Sequence, residues 1–414
     1  MALKTVVILT DYGFINGGAG QVALSSVTGL VAAGVRVVLC YGVGPLDASL
    51  NRNAPGLQVC DLGLHDLLGD PSRLHAAFAG IWKPGAARKF GQLLSELDPG
   101  STVVHLHSWV QALTASVVRE CERRSFPLVC TLHDYFSACP NGGFYNYQTQ
   151  SICTLKPMSR PCLREHCDSR SYPQKIWRFG RNVVQSRFGH VPTGIGNYIS
   201  VSKFSEELLR PYLPRAARFY SVDNPIAIDK GPPAACALSR SFVFVGRLSP
   251  EKGGLLFAEA ARRACVAASF VGAGGEEGKI RHCNPGATLW GWQGRSGVAD
   301  IVSRSRCLVF PSVWYETQGL VIQEAAALGI PALVSDGCAG RDSIIDGVTG
   351  LLFRQGDPDD LKLKLERLDR DDTYASALGK AAYKHYWDNP RSLDKHVGSL
   401  LRCYADVLLR FSVS

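Results

Sequence analysis

The chain has 414 residues, of which 46% are hydrophobic and 20% are charged, and its formal net charge is +9. This length exceeds what one hydrophobic core supports and predicts two domains, while the composition excludes a disordered chain. No apolar run reaches about 18 residues, so no transmembrane helix is expected. The apolar start leads directly into Asp11-Tyr12-Gly13, which is typical of a first strand and not of a secretory signal.

The fourteen cysteines indicate the redox compartment. Cys40, Cys130 and Cys307 lie inside apolar runs, where reduced thiols pack as small hydrophobic groups. A long chain with such thiols and no predicted secretory signal is typical of a reducing environment. We therefore expect a cytoplasmic protein.

Strand-like and helix-like segments alternate along the first part of the chain. Gly20–Ala33 and Val110–Arg123 have helical spacing, which together with the strands indicates right-handed β-α-β units. The predicted strands are nearly continuous Val, Ile and Leu runs, as in parallel sheets covered on both faces: Thr5–Thr10, Arg36–Tyr41, Thr102–His107, Leu128–Leu132 and Asn197–Val201.

The second part repeats the scheme after a Pro- and Gly-rich break between Asp223 and Ser241. The fold class predicted is α/β, with two Rossmann-like domains at residues 1–228 and 229–392 and a last helix within 393–414 that returns to the first domain. Ligands bind beyond the carboxyl ends of parallel strands, so two facing domains place two ligand sites across one cleft. The predicted strands are Phe242–Val245, Ser269–Val271, Thr288–Trp290, Cys307–Phe310, Ala332–Ser335 and Leu351–Phe353; the predicted helices are Gly254–Ala264, Gly297–Ser303, Leu320–Leu328, Pro358–Leu368 and Leu393–Phe411.

Two glutamates eight residues apart, Glu316 and Glu324, form the strongest local signal. Gly319 is predicted to open a helix between them, and eight helical residues rise about 12 Å. The N–H groups of Gly319, Leu320 and Val321 would then stabilise a diphosphate at the helix N-terminus. The alternative is a surface carboxylate and a solvated helix residue.

Basic residues follow the strand Phe242–Val245. Arg247 offers a forked guanidinium and Lys252 a point charge, and both can neutralise phosphate groups at this strand end. The alternative is an ordinary helix entry with two exposed cations. The presence of Glu316 and Glu324 in the same part of the chain favours the phosphate interpretation.

These segments, Gly246-Arg247-Leu248 with Glu251-Lys252-Gly253 and then Glu316 and Glu324, resemble the retaining glycosyltransferases of family 4, which have the GT-B fold. The resemblance implies a nucleotide diphosphate sugar of the UDP or GDP type, retention at the anomeric carbon and no catalytic metal or other cofactor. It implies that Arg247 and Lys252 hold the diphosphate, that Glu316 lies near the donor sugar and that Glu324 accepts the ribose hydroxyls. The loop at Gly272 resembles the next strand-end loop of the family.

In the first domain, Gly17 and Gly18 follow the first strand, and consecutive glycines let a backbone approach a ligand closely. The resemblance places them near the donor phosphate and the acceptor. His133 ends another predicted strand and resembles the cleft histidine of the family, which bonds sugar hydroxyls or acts through its backbone carbonyl. His105 and His107 are expected to be structural.

An insertion at about residues 139–170 contains Cys139, Cys153, Cys162 and Cys167. Four cysteines in this short span suit zinc, but the spacing lacks the paired C-x2-C units that make a zinc site specific. Reduced packing thiols are the alternative. The insertion resembles one in relatives that build bacterial polysaccharides and is expected to shape the acceptor site.

Residues 156–187 carry eight basic residues against Glu165 and Asp168. Within 175–188, apolar residues cluster on one side of a helical pattern, and Lys175, Arg178 and Arg181 fall opposite. This pattern indicates an anionic membrane surface or an acceptor phosphate. The alternative is a helix packed on the first domain with a solvated basic face.

The sequence thus predicts a hexosyl-transferring enzyme that acts on a glycan or lipid-linked acceptor in cell-surface polysaccharide synthesis, cytoplasmic and peripheral at the membrane. Nucleic-acid binding is disfavoured because the positive charge is local and no aromatic-interleaved module occurs. A NAD-type Rossmann protein is disfavoured because the second strand ends at Tyr41-Gly42 without an acidic residue. A phosphorylase on a related fold remains an alternative.

Overall fold

The computed structural model describes residues 3–67 and 69–412. Within them the chain forms the predicted α/β fold, with two parallel sheets flanked by helices. The strands of the first half are β1 (Thr5–Tyr12), β2 (Arg36–Val43), β3 (Leu57–Asp61), β4 (Thr102–Leu106), β5 (Leu128–Thr131), β6 (Tyr145–Asn146), β7 (Ser151–Ile152), β8 (Asn197–Ser200) and β9 (Arg218–Ser221). The helices of this half are α1 (Gly18–Ala32), α2 (Arg73–Ala79), α3 (Pro84–Ser95), α4 (Ala115–Arg123), α5 (Arg160–Arg164), α6 (Tyr172–Arg187) and α7 (Lys203–Leu209).

The second half has a smaller sheet and ends in three long helices. Its strands are β10 (Ser241–Val245), β11 (Ala267–Val271), β12 (Thr288–Gly291), β13 (Cys307–Phe310), β14 (Ala332–Ser335) and β15 (Gly350–Phe353). Its helices are α8 (Gly254–Ala264), α9 (Glu277–Cys283), α10 (Arg295–Ser303), α11 (Leu320–Ala327), α12 (Pro358–Arg370), α13 (Asp372–Asp388) and α14 (Leu393–Phe411).

Strand order determines where each sheet can bind a ligand. The first sheet runs β3-β2-β1-β4-β5-β8-β9 and the second β12-β11-β10-β13-β14-β15, and their strand pairs are parallel. The order reverses between β1 and β4 in the first sheet and between β10 and β13 in the second. The loops that leave β1, β10 and β13 therefore open at the crevices where such sheets bind ligands.

The interior strands match the predicted runs because both of their faces are buried. In β1, Val6, Val7, Ile8 and Leu9 are all fully buried, and alternate residues contribute to the cores on the two faces of the sheet. In the described residues, no helix combines the length and apolarity that crossing a membrane requires.

The C-terminal helix α14 has the bounds Leu393–Phe411 and lies against elements of the first sheet layer. It packs against α1 and β4. The hydroxyl of Tyr404 lies 2.7 Å from Nδ1 of His105, and Nε2 of His396 lies 2.8 Å from the hydroxyl of Ser26. The helix therefore ties the end of the chain to the first sheet.

Gly29 lies where α1 meets α14. A Cβ at this position would lie 2.4 Å from a methyl group of Val397 and 3.0 Å from Leu393. We expect Gly29→Ala to lower the free energy of unfolding by about 1–3 kcal/mol through overpacking, despite the better helix propensity of alanine. Urea denaturation measures the change.

The matched control is Gly398→Ala in α14, where the nearest atom to a new Cβ is Nη1 of Arg402 at 3.6 Å. It is expected to be neutral or stabilising by up to about 1 kcal/mol. Equal effects of the two substitutions would contradict the close contact between α1 and α14.

Candidate functional site

An ion pair between a partly exposed lysine and a buried carboxylate joins the loops that follow β10 and β13. The ammonium of Lys252 lies 2.7 and 2.9 Å from the two carboxylate oxygens of Glu316, and the hydroxyl of Ser312 donates to Oε1 of the same carboxylate at 2.5 Å. Glu316 is only 6% exposed. A buried carboxylate requires partners of this kind, so the three side chains form one unit.

The backbone at Glu316 and Gly319 is left-handed, with φ of +51° and +98°. Helix α11 begins at Leu320, immediately after Gly319, as predicted. The prediction that the eight residues from Glu316 to Glu324 rise as a helix is wrong, because residues 316–319 form a loop and only Glu324 lies in the helix. The N–H of Ile322 donates to the carbonyl of Gly319 at 3.1 Å, and the N–H groups of Leu320 and Val321 precede the first acceptor within the helix.

Residues of the first domain bond this same loop. Tyr135 donates a hydrogen bond to the carbonyl of Glu316, and the hydroxyl of Thr317 donates to the carbonyl of His133 at 3.1 Å. Gln318 donates to the carbonyl of Val201 at 2.9 Å. Three consecutive residues of the second domain are therefore anchored to the first.

Two further histidines lie in succession beside His133, first His107 and then His105. Nδ1 of His107 lies 3.0 Å from Nε2 of His133, and Nε2 of His105 lies 2.6 Å from the hydroxyl of Thr131. Burial lowers the pKa of His133 to about 3 and also lowers those of His105 and His107. His133 is therefore a neutral hydrogen-bonding group near neutral pH, and its carbonyl already accepts the Thr317 hydroxyl.

The glycines predicted from the sequence fall in two different environments. Gly17 has φ of +156° and open space where a Cβ would stand, and a Cβ on Gly18 would lie 3.5 Å from Leu320 at the start of α11. The Gly17–Gly18 loop thus faces the N-terminus of α11 across the domains. A Cβ on Gly272 would instead meet the carbonyl oxygen of Gly246, so Gly272 allows two strand-end loops to pack.

One cavity, of about 470 Å³, opens beside Glu324 and is named the Glu324 cavity. Burial raises the pKa of Glu324, and neighbouring Arg295 opposes that shift. The cavity is lined from the first domain by Ile15, Gln21 and Asp47, and from the linker and second domain by residues that include Val245, Trp292, Arg295, Val298 and Glu324.

A second cavity, of about 510 Å³, lies on the other side of the β10 end and is named the arginine cavity. Its cationic residues are Arg73, Arg170, Arg178 and Arg181 from the first domain and Arg247 from the second. Arg247 is largely exposed, and its guanidinium lies 3.5 Å from Glu251. Val245 lines one cavity and Arg247 the other, so the two spaces flank a single strand end.

The cysteine-bearing insertion surrounds a buried lysine. The ammonium of Lys175 donates to the sulfur of Cys162 at 3.4 Å. Burial would lower the pKa of Lys175, but Cys167 and Cys162 outweigh it and the net shift is upward. In residues 3–67 and 69–412, no group of three or more His, Cys, Asp or Glu side chains has a metal-holding arrangement. The ammonium among the thiols favours the packing interpretation over zinc.

Helix α6 carries the basic residues at 175–188. Its basic side faces the protein and not the solvent, contrary to one of the two interpretations. Lys175 and Arg181 are buried, whereas Ile176, Val183 and Phe188 are exposed. The interpretation with a solvated basic face is therefore wrong. The reason is that the insertion provides a sulfur atom for Lys175 and the Asp168 carboxylate for Arg178, while Arg181 packs against the rings of Phe136 and Trp177.

Sequence reasoning missed Asp11, whose carboxylate accepts backbone N–H groups from Gln111, Ala112 and Leu113 at 2.8–3.0 Å. It is fully buried at the end of β1 and shapes the loop after β4. Its position at the end of the first predicted strand was the only available signal.

Two facing α/β domains with cavities between them define the GT-B class of two-domain proteins. A family model described as "Glycosyl transferase 4-like domain" matches residues 17–171, and one described as "Glycosyl transferases group 1" matches residues 239–371. Between them the two models match more than half of the chain. The chain belongs to the GT4-type glycosyltransferases.

Two curated relatives match parts of the chain. A GDP-mannose-dependent alpha-mannosyltransferase from Corynebacterium glutamicum is 30% identical over 40% of this chain and 39% of its own length. A D-inositol 3-phosphate glycosyltransferase from Nocardiopsis dassonvillei is 33% identical over 22% of this chain and 21% of its own length. The matched segments thus span less than half of either relative.

Solved structures share the fold over nearly the full length. Sucrose-phosphate synthase from Thermosynechococcus elongatus has a TM-score of 0.72 at 18% identity, covering 99% of this chain and 100% of that chain. HepE from Anabaena, solved with UDP-glucose, has a TM-score of 0.66 at 16% identity, covering 97% of this chain and 99% of that chain. At these identities the likeness establishes the fold alone.

The lowered pKa of the half-buried His133 imidazole makes the stability of the fold depend on pH. An unfolded histidine binds a proton below about pH 6.5, whereas folded His133 stays neutral down to about 3. The unfolded state therefore binds more protons in this window, and the free energy of unfolding falls as the pH is lowered through it.

We expect His133→Asn to reduce the slope of the unfolding free energy against pH between about pH 6 and 4.5 by up to about 1.4 kcal/mol per pH unit. Urea denaturation of both proteins at several pH values measures the slopes. Identical slopes would contradict the neutral state of His133 in the folded protein.

Proposed function

We propose that the chain is a retaining glycosyltransferase that transfers a hexose-type sugar from a UDP or GDP sugar to a glycan or lipid-linked acceptor. The observation that supports this most is the arrangement of the Glu324 and arginine cavities on either side of the end of β10, each lined from both domains, with Lys252 in the loop that follows this strand. A transfer between two substrates needs two adjoining sites with a charged centre at their junction.

The donor nucleoside occupies the Glu324 cavity in this proposal. Trp292, Val245 and Val298 supply apolar and aromatic wall, and the carboxylate of Glu324 accepts the two ribose hydroxyls. The diphosphate then lies at the N-terminus of α11, against Leu320 and Val321, where backbone N–H groups and the helix dipole favour negative charge. The Gly17–Gly18 loop covers it from the first domain.

Bond cleavage leaves a nucleoside diphosphate, so stabilisation of its growing negative charge is the main catalytic requirement. Lys252, Arg247 and the start of α11 supply positive charge, and the reaction proceeds without a catalytic metal. Activity that persists in excess chelator is the expected result.

Glu316 is a poor nucleophile in its observed environment. Its carboxylate oxygens already accept hydrogen bonds from Lys252 and Ser312, which reduces their reactivity toward a sugar. We therefore favour front-side attack by the acceptor, with the donor phosphate taking the acceptor proton and neutral His133 bonding a sugar hydroxyl. An NMR assay of the product's anomeric configuration tests retention.

The comparisons agree with either donor base, since one relative is named for GDP-mannose and one similar structure was solved with UDP-glucose. Nucleic-acid binding finds little support, because the arginines line a cavity and do not form an open basic ridge. The role in polysaccharide synthesis and the cytoplasmic location remain part of the proposal.

We further propose that the protein docks on an anionic membrane. Leu74 and Phe78 in α2 are 76% and 75% exposed, and Phe188 at the end of α6 is 65% exposed. Large exposed apolar side chains beside basic residues suit the headgroup boundary of a bilayer.

The double substitution Leu74→Ser and Phe78→Ser is expected to weaken co-sedimentation with vesicles of phosphatidylglycerol and phosphatidylcholine by about tenfold, because two exposed apolar side chains no longer enter the bilayer. Leu363→Ser in α12, whose side chain is 59% exposed, is the control. Vesicle binding that the double variant retains in full would contradict the docking surface.

Glu324→Ala is expected to raise the KM for the donor about 10- to 100-fold with little change in kcat, because charge-assisted bonds to the ribose are lost. Lys252→Ala is expected to lower kcat by about 100-fold or more, because leaving-group charge is no longer neutralised. Steady-state kinetics with the cognate sugar nucleotide measure both effects.

Controls are Glu259→Ala in α8 and Lys384→Ala in α13, which remove exposed partners of similar ion pairs, Glu259–Arg263 and Lys384–Asp388. Both should keep the kinetics of the unmodified protein. Turnover and KM that stay unchanged in Glu324→Ala and Lys252→Ala would refute the donor site.

A further inference from the structure

The arginine cavity combines positive charge with enclosure. It has a volume of about 510 Å³, and five arginines line it, whereas none of its described lining residues is acidic. Two of the five have carboxylate partners outside the cavity: Nε of Arg178 lies 2.7 Å from Asp168, and Arg247 lies 3.5 Å from Glu251. The charged groups of the described lining are therefore all positive, while Asp11 and Asp134 act on Arg181 from outside it.

Arg181 is the buried member of the set, with an exposed fraction of 4%. Its Nη1 donates to the carbonyl of Val110 at 3.1 Å, and its guanidinium carbon lies 5.1 Å from the ring of Trp177 and 5.4 Å from that of Phe136. Burial lowers the pKa of Arg181 to about 10, so it stays charged near neutral pH. The rings and one carbonyl hold the fork in a fixed orientation.

The Nε donor of Arg181 is buried and has no hydrogen-bond partner among the described residues. An unsatisfied donor on a buried charged group is costly and is rare in folded proteins. A ligand with acceptor oxygens would satisfy it. Forked guanidinium groups match the oxygens of phosphate better than those of neutral sugars.

The position of the cavity assigns it to the acceptor. The described linings of this cavity and of the Glu324 cavity have no residue in common, and the two are separated by the β10 end, where Val245 lines one and Arg247 the other. Arg247 also precedes Lys252 by five residues, and Lys252 belongs to the charged centre formed with Glu316. A group bound among the arginines would therefore approach that centre from the side opposite the nucleoside.

We propose that the arginine cavity binds a phosphate or diphosphate group of the acceptor, with Arg181, Arg170 and Arg73 as its ligands. The proposal rests on the proposed transferase function and specifies its acceptor as a phosphorylated molecule. The chemistry is the same for a lipid-borne diphosphate and for a soluble sugar phosphate.

The first test is calorimetric titration of inorganic pyrophosphate into the protein saturated with UDP or GDP, so that the donor diphosphate site is already filled. We expect one pyrophosphate to bind and its Kd to rise about tenfold or more in Arg170→Gln and in Arg181→Gln, because each loses a charge-assisted contact. Arg370→Gln, an exposed arginine of α12, is the control and should bind as the unmodified protein does.

Arg73 and Arg170 are exposed, so Arg73→Gln and Arg170→Gln test the cavity even where Arg181→Gln fails to fold. No pyrophosphate binding by the unmodified protein, or equal affinity in all variants, would overturn the proposal. Failure of UDP and GDP to bind would instead remove the proposed transferase function, while the pyrophosphate titration still reports on the cavity.

The second test compares two acceptor sources: a soluble sugar phosphate, and phosphatidylcholine vesicles that contain a polyprenyl diphosphate-linked sugar. Arg170→Gln is expected to raise the KM for the accepted source about tenfold or more and to leave the donor KM unchanged. A change in donor KM alone, or equal use of unphosphorylated acceptors, would contradict an acceptor phosphate site.

Discussion

The loop from Glu316 to Gly319 is held from both domains at once, and the geometry of the cleft depends on it. Its left-handed backbone directs the Glu316 carboxylate toward Lys252 while its carbonyl accepts the Tyr135 hydroxyl. Thr317 and Gln318 extend the connection to the first domain. A left-handed backbone at a glutamate costs conformational energy. It persists here because the hydrogen bonds of Glu316, Thr317 and Gln318 hold the loop in this conformation.

This constraint explains how two separate domains produce one site. The loop fixes the start of α11 opposite the Gly17–Gly18 loop, and each cavity then opens on one side of the junction. The Glu324 cavity offers a carboxylate and apolar walls, whereas the other cavity offers guanidinium groups. Different chemistry on the two sides suits two different substrates, with the charge of the leaving group neutralised between them.

The sequence predicted the interior strands and the Gly319–Leu320 helix start, because continuous apolar runs and a required positive φ are local signals. It did not predict β3 and β9, which lie at the sheet edges and are only partly buried. The amphipathic pattern of α6 was visible, but periodicity alone does not tell which face meets the protein. The Tyr135–Glu316 bond joins residues 181 positions apart, and no local pattern encodes it.

The central claim is that the cleft binds a nucleoside diphosphate, and thermal unfolding with UDP and with GDP tests it most directly. A ligand that binds only the folded chain stabilises it by about 2.7 kcal/mol at 100 times its Kd, so the unfolding temperature should rise by a few degrees. The account predicts such a rise with at least one of the two nucleotides and its loss in Glu324→Ala. No rise with either nucleotide would contradict it.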